Sequence, residues 1–206
     1  RTYREKIRMG NSTLTSGAHT ISKPSGFPTP KSVPEEDIIG LVDDTELEQP
    51  MLVKDKESAG QVISSLLDEP VLGIDLETTG LDPRFDNIRL AQISSPSGIW
   101  VFDVYKTGIE VIRPLVEGPA IKVAHNAKFD LGFLYEKLGV IAEPVFDTMV
   151  IDQVVRGAGN PRSLALICEG YIGITLNKDE QTSDWAAEEL TQTQINYAAK
   201  DAEVLL

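Results

Sequence analysis

"GIDLETTGLDP", residues 73–83, sets Asp75 and Glu77 two positions apart inside a stretch that otherwise reads as a core strand. Residues i and i+2 of a strand share a face. The two carboxylates therefore stand side by side, while Ile74 and Leu76 turn the other way into a core. Uncompensated anions at that spacing raise each other's pKa and are unfavourable unless something cationic binds them. The bland alternative is that the strand ends here and the "TTGLDP" turn lets one or both acids reach solvent. An Asp-x-Glu arises by chance about once in a chain of this size and composition, so the pair has to be weighed against the rest of the sequence.

On both sides of this strand the apolar pattern switches between two periods, as it does in α/β domains. "MLV" opens a short strand, and "KESAGQVISSLLDE" suits a helix with Val62, Ile63, Leu66 and Leu67 on one face. "PVLGIDLE", "IRLAQISS" and "GIWVFDV" read as strands. The turn-forming "PSG" makes the last two an antiparallel hairpin. A helix is predicted around "GIEVIRPLVEG", then a strand at "AIKVAHNA" and a helix over "DLGFLYEKLGV" closed by Gly139. After "PVFDTMV" the pattern is mostly helical, interrupted by "RGAGNPR" and "GYIGITLNKDEQTSDWAAEE". No internal repeat is visible.

With 206 residues, 41% of them hydrophobic, the chain can build one substantial α/β core and a tail. Residues 1–34 are basic and rich in Ser, Thr, Gly and Pro, and residues 35–50 turn sharply acidic. Residues 1–50 are expected to be a flexible arm and linker; the composition of 1–34 also suits part of an organellar transit peptide. The folded domain is expected over 51–206. A formal net charge of −13 argues against a surface that grips phosphates everywhere. A nucleic-acid partner would have to be held locally or with outside help. The single cysteine, Cys168, reads as a buried thiol in a reducing compartment. No apolar run approaches the roughly 18 to 20 residues that cross a bilayer, so no membrane partner is expected. The chain opens at Arg1 and stops at "DAEVLL" within a helical pattern, which reads as a piece of something longer, truncated at its C-terminal helix.

Two further stretches repeat the opening theme. In "VAHNAKFD", residues 123–130, a core strand runs out into a helix whose first turn carries Asp130. Asp130 is also suited to complement the helix dipole, and Asn126 to cap the helix. In "LTQTQINYAAKDAEVLL", Thr191 and Gln194 have the spacing of a capping box, and Ile195, Ala199, Ala202 and Leu206 mark an apolar stripe. Tyr197 and Asp201, four apart, lie on one helix face, and Ala198 and Ala199 would let that helix approach a sheet closely. Each residue alone has an ordinary structural explanation. Together they supply four carboxylates and a phenol, the donors needed to hold two hard divalent cations by oxygen. Two such ions about 3.5 to 4 Å apart can clamp the attacking and leaving oxygens of a phosphodiester.

"DLETTGL", "HNAKFD" and "YAAKD", in this order, resemble the three motifs of the DEDD 3′–5′ exonucleases. The tyrosine four residues before the last Asp resembles the DEDDy branch, which includes ribonuclease D and the proofreading domain of family A DNA polymerases. The resemblance runs over about residues 51–206 and takes in "FDTMV" and "RSLALI". It implies a ribonuclease H-like α/β fold, a mixed sheet with an antiparallel hairpin flanked by helices. It implies two divalent cations, Mg2+ or Mn2+. Asp75, Glu77 and Asp201 would bind the catalytic metal, with Asp75 bridging to the second ion and Asp130 acting on that ion partly through water. Tyr197 would orient the attacking water, and the products would be nucleoside 5′-monophosphates. Thr78, Leu81 and Asn126 match positions that contact the terminal nucleotide, with Leu81 wedged against the last base. Asp147 matches a supporting residue and is equally readable as a helix N-cap. His125 is expected to be a local hydrogen-bonding residue, and Trp100 and Trp185 to be packing residues.

The same resemblance implies a single-stranded 3′ end of DNA as substrate, with RNA as the alternative, and a covalently linked polymerase domain as partner. The setting would be a bacterial or phage-infected cytoplasm, or an organelle. A ribonuclease D-like exoribonuclease is the second reading, and a catalytically inactive exonuclease-fold scaffold the third. The intact acids and Tyr197 argue against the third.

Overall fold

The computed structural model describes residues 50–206 apart from 158, 178, 179 and 181. Of the arm expected over residues 1–50, all but Pro50 lies outside the described residues.

The strand of the opening motif, β2 (Val71–Thr78), runs inside a six-stranded mixed sheet. It pairs antiparallel with β3 (Ile88–Ser95) and parallel with β5 (Ile121–Ala124). Beyond β3 come β4 (Gly98–Asp103), antiparallel to it, and β1 (Met51–Val53), parallel to β4; β6 (Val145–Asp147) runs parallel to β5. The sheet order is therefore β1-β4-β3-β2-β5-β6. The β3–β4 hairpin is the one expected from "PSG".

Alternation along the strands divides the core in two. Leu72, Ile74 and Leu76 join Val53, Ala91, Ile93 and Phe102 on one face. That face is covered by α1 (Lys56–Leu66), a 3-10 turn (Ile109–Ile112), α3 (Arg113–Glu117) and α4 (Lys128–Leu138). The predicted helix over 108–118 is thus split, and a further short helix, α2 (Val104–Thr107), precedes it. In α1 the side chain of Asp55 accepts the Ser58 N–H at 2.8 Å, and Val62, Ile63 and Leu66 are buried. Leu67, expected on the same stripe, is 45% exposed, because it sits at the C-cap where the helix ends.

On the opposite face Leu90 and Val101 pack against Trp185 and against Ile195, Ala198 and Ala199 of α7 (Gln192–Glu203). The capping box that starts α7 is formed: Thr191 Oγ1 accepts the Gln194 N–H at 3.2 Å and Gln194 Oε1 accepts the Thr191 N–H at 2.9 Å. At the other end, the Ser94 hydroxyl donates to the Ala202 carbonyl at 2.7 Å. A Cβ on Gly73 would stand 2.2 Å from Ser94 Oγ and 3.0 Å from the Ala202 carbonyl. Only glycine lets the helix end come down on the sheet there. The helix stops at Glu203, so Leu205 is buried and Leu206, expected to continue the stripe, is exposed. The segment before α7 is tied to the sheet by Arg89. Its guanidinium pairs with Asp103, donates to the carbonyls of Ala187 (3.4 Å) and Glu188 (3.2 Å), and lies 4.4 Å from the Tyr105 ring centroid.

Two helices remain, α5 (Thr148–Val155) and α6 (Leu164–Ile172), with Cys168 buried in the latter. Among the described residues no helix is long and apolar enough to cross a membrane.

Candidate active site

The C-terminal half of β2 carries Asp75 and Glu77 on its α7-facing side, and α7 carries Asp201 back against them. One carboxylate oxygen from each of the three lies within 4.8 Å of the other two. Strand periodicity sets the first pair, and the alanine face of α7 brings the third acid close enough to join it. Asp130, 4% exposed, enters from the first turn of α4. It is outside this trio, yet it is the strongest charged influence on Asp75.

The electrostatics are those of a site short of positive charge. Burial, and then the charges of Asp130, Glu77 and Asp201, push the Asp75 carboxyl well above the usual range. Burial followed by Asp201 and Asp130 does the same to Glu77. Burial raises Asp130 to about 7. It raises Asp201 to about 6, partly offset by a hydrogen bond from the Tyr197 hydroxyl. The Tyr197 phenol is itself raised, by burial first and then by the Asp201 charge, so it stays protonated at neutral pH.

Asp75, Tyr197 and Asp201 line a cavity of about 290 Å³ together with Ser163, Leu164 and Ala165. His125 and Asn126 close one side. His125 Nδ1 lies 2.9 Å from Thr148 Oγ1, the local hydrogen bond expected of it. Asn126 has φ 56°, in the left-handed region that Asn tolerates, and its side chain does not cap α4. The alternative reading of Asn126 as a helix cap does not hold: the residue next to the helix is Ala127, and no side chain caps it. The turn is held by Asp147 instead. Its carboxylate accepts the N–H groups of Asn126 (3.2 Å) and Ala127 (2.9 Å) while also capping α5 through Met149 (2.9 Å) and Val150 (3.3 Å). One carboxylate thus both caps α5 and holds the turn before α4.

Asn126 also borders a second groove, about 280 Å³, with Leu81, Pro83, Lys128 and Phe129. Leu81 is 83% exposed at the tip of a braced loop. Asp86 accepts the Asp82 N–H at 2.8 Å, Thr79 Oγ1 accepts the Asn87 N–H at 3.0 Å, and a Cβ on Gly80 would stand 2.4 Å from the Asp86 carboxylate. Thr78 ends β2, and its hydroxyl donates to the Gly80 carbonyl at 2.6 Å, fixing the start of this loop.

One supporting device was not read from the sequence. Asp152, 3% exposed on α5, accepts bonds from Arg156 (2.9 and 2.7 Å), from Arg162 and from the Tyr171 hydroxyl (3.0 Å). It ties the segment leading to the cavity-lining Ser163 onto α5. Its three partners, Arg156, Arg162 and Tyr171, follow no fixed spacing, and "RGAGNPR" gives no sign of a buried acid.

The donor set Asp75, Glu77 and Asp201 offers oxygen alone, from acids that repel one another, and this fits a hard divalent cation. The trio lies on the C-terminal half of a central strand and on α7, with Tyr197 and Asp130 beside it, on a ribonuclease H-like sheet. Residues 50–206 match the 3′–5′ exonuclease family, and the chain belongs to it, as an enzyme of the DEDD type. The chain is 39% identical over 155 residues to DNA polymerase I of Aquifex aeolicus, covering 74% of this chain and 25% of that protein. It is 28% identical over 156 residues to ribonuclease D of Acidiphilium cryptum, covering 74% of this chain and 40% of that protein. It thus spans a quarter to two fifths of the length of these relatives. A structure of Brucella melitensis NrnC with bound Mg2+ superposes with a TM-score of 0.60 at 27% identity, covering 76% of this chain and 74% of that one.

Proposed function

We propose that the chain is a two-cation 3′–5′ exonuclease domain that removes nucleotides from single-stranded 3′ ends of DNA, as the proofreading part of a DNA polymerase I-like protein. The observation that carries the chemistry is the close approach of Asp75, Glu77 and Asp201. What favours DNA is the higher identity to a DNA polymerase I, 39% against 28% for the ribonuclease D.

In this reading Asp75, Glu77 and Asp201 hold one cation, and Asp75 and Asp130 serve the second. Bound there, divalent cations lower the pKa of water and stabilise charge on the attacking and leaving oxygens. The protein's own groups do the rest. Tyr197, kept protonated, is no base; its hydroxyl orients the water for in-line attack on the terminal phosphorus. The new bond is from water oxygen to phosphorus, the P–O3′ bond breaks, and the shortened strand takes up a proton on its 3′ oxygen. Leu81, Asn126 and Lys128 line one groove, and in this reading Leu81 packs on the last base while the other two border the strand. Local gripping of this kind suits a chain of net charge −13, which cannot attract phosphates at long range.

The assay that tests the substrate assignment uses 5′-labelled DNA and RNA of one sequence with Mg2+, Mn2+ or EDTA. A metal-dependent ladder shortening from the 3′ end, faster on DNA, is expected. A ladder on RNA alone overturns the DNA reading in favour of the ribonuclease D-like one.

A further inference from the structure

On the face of the sheet that α7 covers, one polar side chain has two buried atoms with nothing to bond. Gln92 of β3 is fully buried, and among the described residues neither its Oε1 nor its Nε2 meets a hydrogen-bond partner. Buried carboxamides left in this state are costly and rare in native proteins. Its place in the register explains what it is for. Gln92 pairs with Asp75 across the antiparallel β2–β3 ladder. Residues opposed in this way share a face, with Cβ atoms about 4.5 to 5.5 Å apart. The carboxamide therefore lies beside the carboxylate on the α7 side. Its other neighbours on that side give it nothing. Leu90 and Val101 are apolar, Ala198 and Ala202 of α7 are buried alanines, and the Ser94 hydroxyl is already committed to the Ala202 carbonyl.

We propose that Gln92 is a positioning residue for Asp75: its Nε2–H group, which bonds neither Asp75 nor any other described residue in the structure, turns on cation binding to donate to the carboxylate oxygen facing away from the cation and fixes the orientation in which Asp75 binds. This rests on the reading of Asp75 as a metal ligand. Hydrogen bonds behind a ligating side chain orient it and raise metal affinity. A neutral amide is the suitable donor here. An acid at this position would add a fifth negative charge beside Asp75, Glu77, Asp130 and Asp201, and a lysine would compete with the cation for them.

The test is Gln92→Met, which keeps the side chain's length and removes both polar atoms. Mg2+ binding is measured by calorimetry and by the Mg2+-induced rise in Tm, beside wild type and Asp75→Ala. Gln92→Met is expected to bind Mg2+ about ten- to a hundredfold more weakly, with a metal-free Tm at or above that of wild type. Wild-type Mg2+ affinity in Gln92→Met overturns the proposal. If its metal-free Tm also falls, Gln92 is a packing residue of the α7-covered face. Wild-type Mg2+ binding in Asp75→Ala would sink the metal-ligand reading itself. A readout independent of any variant is the Gln92 side-chain NH2 resonance of the wild-type protein. It should shift on Mg2+ addition, and an unmoved resonance counts against the proposal.

Discussion

Arg89→Met removes one half of the buried ion pair that ties the segment before α7 to the sheet. The Arg89 and Asp103 side chains are 1% and 8% exposed. Taking away the guanidinium leaves the Asp103 carboxylate buried and uncompensated, a loss that typically costs about 3 to 5 kcal/mol. In a domain of this size 1 kcal/mol shifts Tm by about 2 to 4 °C, so the variant should melt roughly 6 to 20 °C below wild type. The carbonyls of Ala187 and Glu188 also lose a donor, but both residues are at least partly exposed and water can replace it. The discriminating variant is Arg89→Met with Asp103→Leu. Removing both charges relieves the unpaired carboxylate, and a buried pair is often no more stabilising than apolar groups of similar size. Thermal melts followed by near-ultraviolet circular dichroism should show the double variant recovering most of the loss. If it melts no higher than Arg89→Met, the deficit comes from lost packing on Tyr105 and the ion-pair reasoning is refuted.

Asp152 gives a pH-dependent counterpart. Hydrogen bonds from Arg162 and then Arg156 hold its carboxyl well below the usual range. Its stabilisation is therefore full above the unfolded value of about 3.9 and is lost as pH falls through the depressed folded value. Asp152→Asn should differ most from wild type at neutral pH and converge with it in strong acid, as read from Tm against pH; a constant offset would contradict this. Tyr197→Phe is expected to lower kcat by about a hundredfold while leaving the Mg2+-induced Tm shift in place. A change confined to KM would remove Tyr197 from the chemistry. Leu81→Ala should raise KM about fivefold, roughly 1 kcal/mol of lost base contact, without moving Tm, since the side chain is 83% exposed. Equal KM values would show that Leu81 does not touch the substrate.

Much of this site is visible in the sequence because its geometry is local. The two-residue period puts Asp75 with Glu77, the four-residue period puts Tyr197 with Asp201, and the Thr191–Gln194 box fixes where α7 starts. The β3–β4 hairpin follows from a short turn between two apolar runs. What the sequence hides depends on pairing across the chain. Gln92 looks like a polar residue in an alternating strand until register places it opposite Asp75. Asp152 and Arg89 look like surface charges until their partners arrive from 10 and 14 residues away. Leu67 and Leu206 go astray for one reason: helical periodicity continues on paper past the residue at which the helix ends. Asn126 reads as a cap because strand-to-helix junctions favour one, but the carboxylate of Asp147 already takes the N–H groups there.

In the proposed function the β2 acids and the α7 acid hold the cations with which the 3′ end of DNA is cut. The most direct test compares wild type with Asp75→Ala/Glu77→Ala on a 5′-labelled single-stranded DNA, with Mg2+ and with EDTA. A ladder that shortens from the 3′ end in wild type with Mg2+, and is absent in EDTA and in the folded double variant, is the predicted result. A ladder of equal rate from the double variant would contradict the account.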